Sequence, residues 1–218
     1  MTAKKTKHIF IPPEPGECTG YEVSFEPLTG HLKERLSKEH FIKYLALFEK
    51  IQKSSKECIP ELEAFFKELP DIPEIANLLS FAYLQAKRMV DAEKLTEETY
   101  LKHPDYLFGR INFADQCLRC KEIAKVPAIF NNRLNLKELY PERKIFHFSE
   151  YRGFMVVMGF YHLAIGEREK AHRFYEKAMR VDPLHLSVIA LEKAVFHTSL
   201  LKRIRKSLQK LALIFQNP

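Results

Sequence analysis

The chain has 218 residues, 46% of them hydrophobic and 12% aromatic. That is enough apolar material for one buried domain or a short array of helical hairpins, and too much for a disordered chain. No apolar run approaches the roughly 20 residues that cross a bilayer, and Met1 to Ile11 lacks the apolar stretch of a secretory signal, so the expected location is cytoplasmic. The formal charge of +7 is confined to one end: residues 1–143 carry 22 basic and 22 acidic side chains, residues 144–218 carry 13 and 6, and no acid follows Glu192.

Residues 1–30 hold four of the twelve prolines and three of the seven glycines, a density that prevents helix and favours extended or turning backbone. Within them, His8 to Ile11 and Tyr21 to Phe25 have β-like character, the second alternating in polarity. Two strands alone are marginal. The expectation is an extended arm that packs along the rest of the chain through Ile9, Phe10, Ile11, Tyr21, Val23 and Phe25.

From about Leu32 the period becomes helical, with Phe41, Tyr44, Leu45 and Phe48 at i, i+3, i+4 and i+7. Pro70 and Pro104 stand 34 residues apart, each where a helix would stop. The sequence therefore predicts hairpins over 39–72 and 73–106. A third, over 107–141, has Val126-Pro127 where its second helix should be under way. Proline is tolerated only in the first turn of a helix, so that helix is expected to start near Pro127 and end before Pro141. Residues 142–151, with Phe146 and Phe148, then lengthen the next helix or cover a groove.

Residues 152–185 carry a fuller pattern: Met155, Met158-Gly159, His162, Gly166, Ala171, Tyr175, Ala178 and Pro183. Its length and its small, aromatic and proline positions resemble the tetratricopeptide repeat. The segment 73–106 resembles it less fully, with Ser80 in place of the small glycine and Thr96 in place of an aromatic. The segments 39–72 and 107–141 are degenerate. Helix continues from Leu186 to about Phe196, and again from Ser199 to Phe215. There Leu201, Ile204, Leu208, Leu211 and Phe215 form an apolar stripe, with Lys202, Arg203, Arg205, Lys206 and Lys210 off it. That stripe is expected to cap the array, its basic face staying in water.

The resemblance implies an all-α domain over 31–218, a right-handed superhelix of antiparallel hairpins, with the 1–30 arm in front and capping helices over 186–216. It further implies Gly159 and Ala171 at one tight helix crossing. In such proteins the first helices line a concave groove that binds other proteins. The groove positions here are Asn77, Leu78, Phe81 and Gln85, then Ile111, Asn112, Asp115 and Arg119, then Val156, Val157, Phe160 and Ala164. Family members that clamp a terminal carboxylate place Lys and Asn at fixed groove positions. Only Asn112 matches, and Gly153 and Val157 stand where basic residues are needed, so that activity is not expected.

Catalytic signals are weak. There is no Gly-rich phosphate loop, no H-E-x-x-H and no G-x-S-x-G. Cys117-x-x-Cys120 falls inside a helical pattern without a second ligand pair, and reads as two small apolar side chains. His147 and Glu150 have no matching pair. The expectation is a non-enzymatic module without cofactor, metal or small-molecule substrate, binding a peptide or helix of another protein. Its function is that of an adaptor, or alternatively of a chaperone for a specific secreted or assembling subunit. A third reading is a peripheral membrane or nucleic-acid binder acting through the basic C-terminal helix.

Overall fold

A computed structural model of the chain describes residues 8–13 and 20–196. The described residues are mostly helical and divide into two compact units, Met1–Glu150 and Tyr151–Pro218. The stripe from Leu201 to Phe215 and its basic neighbours lie outside the described residues.

The first unit opens with β1 (His8–Ile11) and β2 (Tyr21–Ser24). The short α1 (Gly30–Arg35) follows, then α2 (Lys38–Ser54) and α3 (Ile59–Glu68). Next come α4 (Pro73–Gln85), α5 (Met89–Lys102) and α6 (Leu107–Arg119). One apolar cluster runs through α1 to α5, from Leu32 through Leu47, Leu62, Phe65 and Ile75 to Leu95. Amphipathic patterning explains it: Tyr44, Leu47 and Ile51 share one face of α2, one helical turn apart, and all three are buried. Around its rim His40 meets Glu68 at 2.9 Å, and the Tyr83 hydroxyl donates to Glu63 at 2.8 Å. Burial and that carboxylate together push the Tyr83 phenol up to about 12.

The hairpins share two recurring joints. Three of the first helices close on a left-handed residue, Lys87 (φ 62°), Lys121 (φ 63°) or Gly166 (φ 86°), whereas α2 runs on into Ser55 in the right-handed region. In each case the next N–H reaches back five residues: Arg88 to the Tyr83 carbonyl at 2.9 Å, Glu122 to Cys117 at 2.8 Å, Glu167 to His162 at 2.8 Å. This is the six-to-one bond of a Schellman cap. The final helices end on Leu69, His103, Tyr140 and Asp182, with φ,ψ of −130°,65°, −128°,66°, −131°,72° and −151°,73°. Each of the four precedes a proline, Pro70, Pro104, Pro141 or Pro183. Proline disfavours the α region for its predecessor, and these four residues leave it, whereas Ile59 and Val126, before Pro60 and Pro127, stay helical where a helix begins.

Three expectations are corrected. The segment after α6 is not one helix but α7 (Val126–Ile129) and α8 (Leu136–Leu139). Asn131 and Asn132 between them sit at φ 53° and 58°, and two successive left-handed residues cannot continue a right-handed helix. Second, part of the 142–151 segment, expected to lengthen the next helix or cover a groove, is a strand. Ile145–His147 forms β3, and the sheet order is β1-β2-β3, antiparallel then parallel. Val23 pairs with Ile9 on one side and Phe146 on the other, and both Val23 and Phe146 are fully buried. The Tyr21 hydroxyl donates to Asn135 Oδ1 at 2.8 Å, the same oxygen that caps α8. The described part of the arm is thus built into a sheet.

The second unit holds most of α9 (Phe148–Ala164), α10 (Arg168–Val181) and α11, a helix over 186–196. The third correction is here. A Cβ on Gly159 would come within 2.5 Å of the Leu191 side chain in α11, so the helix that approaches this glycine most closely is α11 rather than α10. Ala171 is fully buried. Arg152 pairs with Asp182, and Arg168 donates to the Val195 carbonyl.

Candidate functional site

In the first unit, contacts join α4 to both α2 and α6. Buried residues occupy one side of α4 (Ile75, Leu79, Ala82, Tyr83). Phe81, Leu84 and Gln85 point away from it, with Phe81 38% and Leu84 41% exposed. Two large apolar side chains one turn apart and so open to water form a small apolar ledge. Leu84 was not among the positions expected from sequence.

Polar groups flank this ledge on α6. The Asn112 carboxamide donates to Asn77 Oδ1 at 2.7 Å, across α4 and α6, and both residues are half-buried. Further along α6, Arg119 bonds Asp115 at 3.0 Å and Glu93 at 3.2 Å. Burial works against the Arg119 charge, but these two carboxylates outweigh it and hold its pKa above the usual value. Four expected groove residues of the first unit therefore form two pairs, Asn77 with Asn112 and Asp115 with Arg119. Ile111 is 5% exposed and belongs to the core.

In the second unit, Val156 and Val157 are buried, Phe160 is half-buried and Ala164 is exposed. Burial removes Ile111, Leu78, Val156 and Val157 from the surface a ligand could touch. In each unit the expected groove positions that stay exposed are fewer than the sequence pattern suggested. Lys202, Arg203, Arg205, Lys206 and Lys210 lie outside the described residues.

Sequence reasoning also missed a polar seam. Ser80 Oγ bonds Thr96 Oγ1 at 3.0 Å and donates to the Ala92 carbonyl at 3.2 Å, both contacts buried. With Asn77, Thr99, Gly109 and Asn112, Ser80 and Thr96 line a narrow crevice among α4, α5 and α6. Ser80 and Thr96 are the two positions where 73–106 departs from the repeat pattern, and they compensate for one another.

Cys117 is buried and Cys120 exposed, at the end of α6. Burial, reinforced by Glu122, pushes the Cys117 thiol up to about 11, so it is protonated at neutral pH and a poor nucleophile. No cluster of metal-ligating side chains occurs among the described residues, and no helix there is long and apolar enough to cross a membrane. Neither a family model nor a curated protein sequence matches this chain.

Proposed function

We propose that this chain is a non-catalytic protein-binding module of the tetratricopeptide-like class, and that it receives a segment of a partner protein on the outer face of α4 and α6. The observation that carries this reading is the exposed pair Phe81 and Leu84 beside the Asn77–Asn112 and Asp115–Arg119 pairs. An apolar anchor next to fixed donors and acceptors suits a peptide or an amphipathic helix. The recurring hairpin joints support the class, since arrays of such hairpins present first-helix faces side by side. An adaptor and a dedicated chaperone would use this face alike. They differ in whether the bound segment is exposed or folded away in the partner's finished state.

The test compares capture of partners from the native cell by wild-type protein and by Phe81→Asp, at low and high salt, followed by direct titration of the captured protein. Binding that persists in high salt and is lost in Phe81→Asp, with an unchanged melting temperature, supports the reading. Binding that ignores Phe81 and collapses with salt rests on screened charge instead, and moves the function to the basic C-terminal residues.

A further inference from the structure

The last described helix, α11, starts on a histidine. His185 stands at its N-cap, where its carbonyl accepts the Val188 N–H at 2.9 Å and the Ile189 N–H at 3.1 Å. Its ring Nδ1 accepts the Ser187 N–H at 3.2 Å and lies 2.8 Å from Ser187 Oγ. An N-cap side chain takes up one of the orphan N–H groups of the first turn, and Ser, Thr, Asp and Asn usually supply it. Ser37 on α2 and Asn135 on α8 follow that rule. Those two keep their lone pairs at any pH near neutral, and an imidazole does not.

A second helix begins in the same way but is reinforced. His147 precedes α9, and its Nδ1 lies 2.6 Å from Ser149 Oγ. There the Glu150 carboxylate reaches back to accept the His147 N–H at 3.0 Å, and it also pairs with Arg143. At the matching place α11 has Val188, which is buried and carries no acceptor. The charged groups facing the His185 ring are Arg152 of α9 and Asp182 at the end of α10, which pair with each other. Desolvation and then Arg152 lower the His185 pKa, and Asp182 acts against them. The ring is therefore neutral at pH 7, as an accepting Nδ1 requires.

Protonation turns Nδ1 from an acceptor into a donor. The Ser187 hydroxyl can rotate and accept from it, but the Ser187 N–H cannot, and it loses its partner. The imidazolium also sits at the positive end of the helix. Elsewhere α11 is held by Leu191 over Gly159, by the Phe196 ring edge-on to His172 and Tyr175 of α10, and by Arg168 on the Val195 carbonyl. Two of these three contacts hold its far end, so the near end leans on the cap. We propose that the start of α11 is an acid-sensitive clasp, in which protonation of His185 removes the N-cap and loosens the helix start, with Leu191, from α9. The closed helix binds the proton less readily than the opened one, whose imidazole titrates near 6.5. The clasp is closed above that value and loosens as pH falls below it. It does not rest on the α4–α6 face.

Hydrogen exchange of the full-length protein from pH 8 down to pH 5.5, corrected for intrinsic rates, reads the clasp directly. Protection of the amides of residues 189–195 should fall about tenfold relative to those of α10. His185→Asn keeps an acceptor at every pH and should hold that protection level across the range. His185→Ala lacks the cap throughout, so its protection should start low and stay level. His162→Phe should keep the wild-type slope, which separates the clasp from that buried histidine. In the wild-type protein the ¹⁵N titration of the His185 ring should share its midpoint with the loss of protection, a result that needs no variant. A level wild-type profile, a wild-type slope in His185→Asn, separate midpoints, or equal loss across α10 and α11 overturns the proposal.

Discussion

The segments 73–106 and 107–141 begin alike and end differently. Both start 34 residues apart with a 13-residue helix, α4 or α6, and both close it on a left-handed lysine with the same back-bonded turn. After the turn, α5 runs unbroken for 14 residues, whereas the second segment breaks into α7 and α8 around Asn131 and Asn132. The difference lies in what each second half must cover. α5 packs its Ala92, Leu95, Thr96 and Thr99 against neighbouring helices. The broken segment instead carries Asn135, whose side chain ties α8 to Tyr21 of the sheet. A hairpin repeat thus keeps its turn and its proline stop while its second helix is given over to supporting β-structure.

The largest effect expected tests the tightest packing. In Gly159→Leu the added side chain must enter space held by Leu191, and overpacking of this kind costs on the order of 1–3 kcal/mol or more. Thermal melting should fall sharply. A companion Leu191→Ala should recover part of the loss, because it vacates the space the new side chain needs. If Gly159→Leu melts like wild type, the α9–α11 approach is looser than described.

The same question put to 73–106 has a polar answer. Ser80→Ala leaves the Thr96 hydroxyl without its buried partner and should cost about 1–3 kcal/mol. The double change Ser80→Ala with Thr96→Val removes both ends and should cost less than the sum of the two singles. Additive losses in a double-mutant cycle would show that these two residues do not act as a pair.

Much of this contrast was legible in sequence, and the illegible part has a physical reason. Pro70, Pro104, Pro141 and Pro183 mark helix ends because proline disfavours the α region for the residue before it and has no N–H with which to continue a helix. Strands at His8–Ile11 and Tyr21–Ser24 were visible as β-like segments, the second by its alternation. The third strand was not, because Phe146 pairs with Val23 across more than a hundred residues, and no local pattern encodes so distant a partner. Groove positions were readable as a helix face, but Ile111 and Val156 lie on the same kind of face and are buried. Only packing distinguishes them from Phe81.

Turn chemistry gives a smaller, opposite-signed pair of effects. Lys87 and Lys121 hold a left-handed conformation that costs an ordinary residue roughly 1–2 kcal/mol, while Gly166 adopts it freely. Lys121→Gly should therefore stabilise by about 0.5–1 kcal/mol, the relief being partly offset by the extra freedom of glycine in the unfolded chain. Gly166→Ala should destabilise by about 1 kcal/mol. Melting temperatures that move in the same direction for both would contradict the shared geometry of the two turns.

The smallest effect expected is a pH dependence of the second unit. His162 is 5% exposed, stacks on Phe174 with ring centroids 5.2 Å apart, and meets Glu167 at 2.6 Å. Burial lowers its pKa, outweighing the opposing pull of Glu167. The folded state therefore binds a proton less readily than the unfolded chain, whose imidazole titrates near 6.5. Stability contributed by neutral His162 is complete above that value and declines as pH falls below it, because the unfolded state takes up the proton first. The Glu167 carboxyl is lowered by Lys170 and His162, so its own contribution is lost only in the more acidic carboxylate range. The two windows are separable. Unfolding midpoints measured from pH 8 down to pH 5 should fall for wild type. The decline should be shallower for His162→Phe, which keeps a ring against Phe174 and has nothing to protonate. Parallel curves for the two proteins would assign the acid sensitivity to other groups, His103 and His185 first, since both are lowered by burial as well.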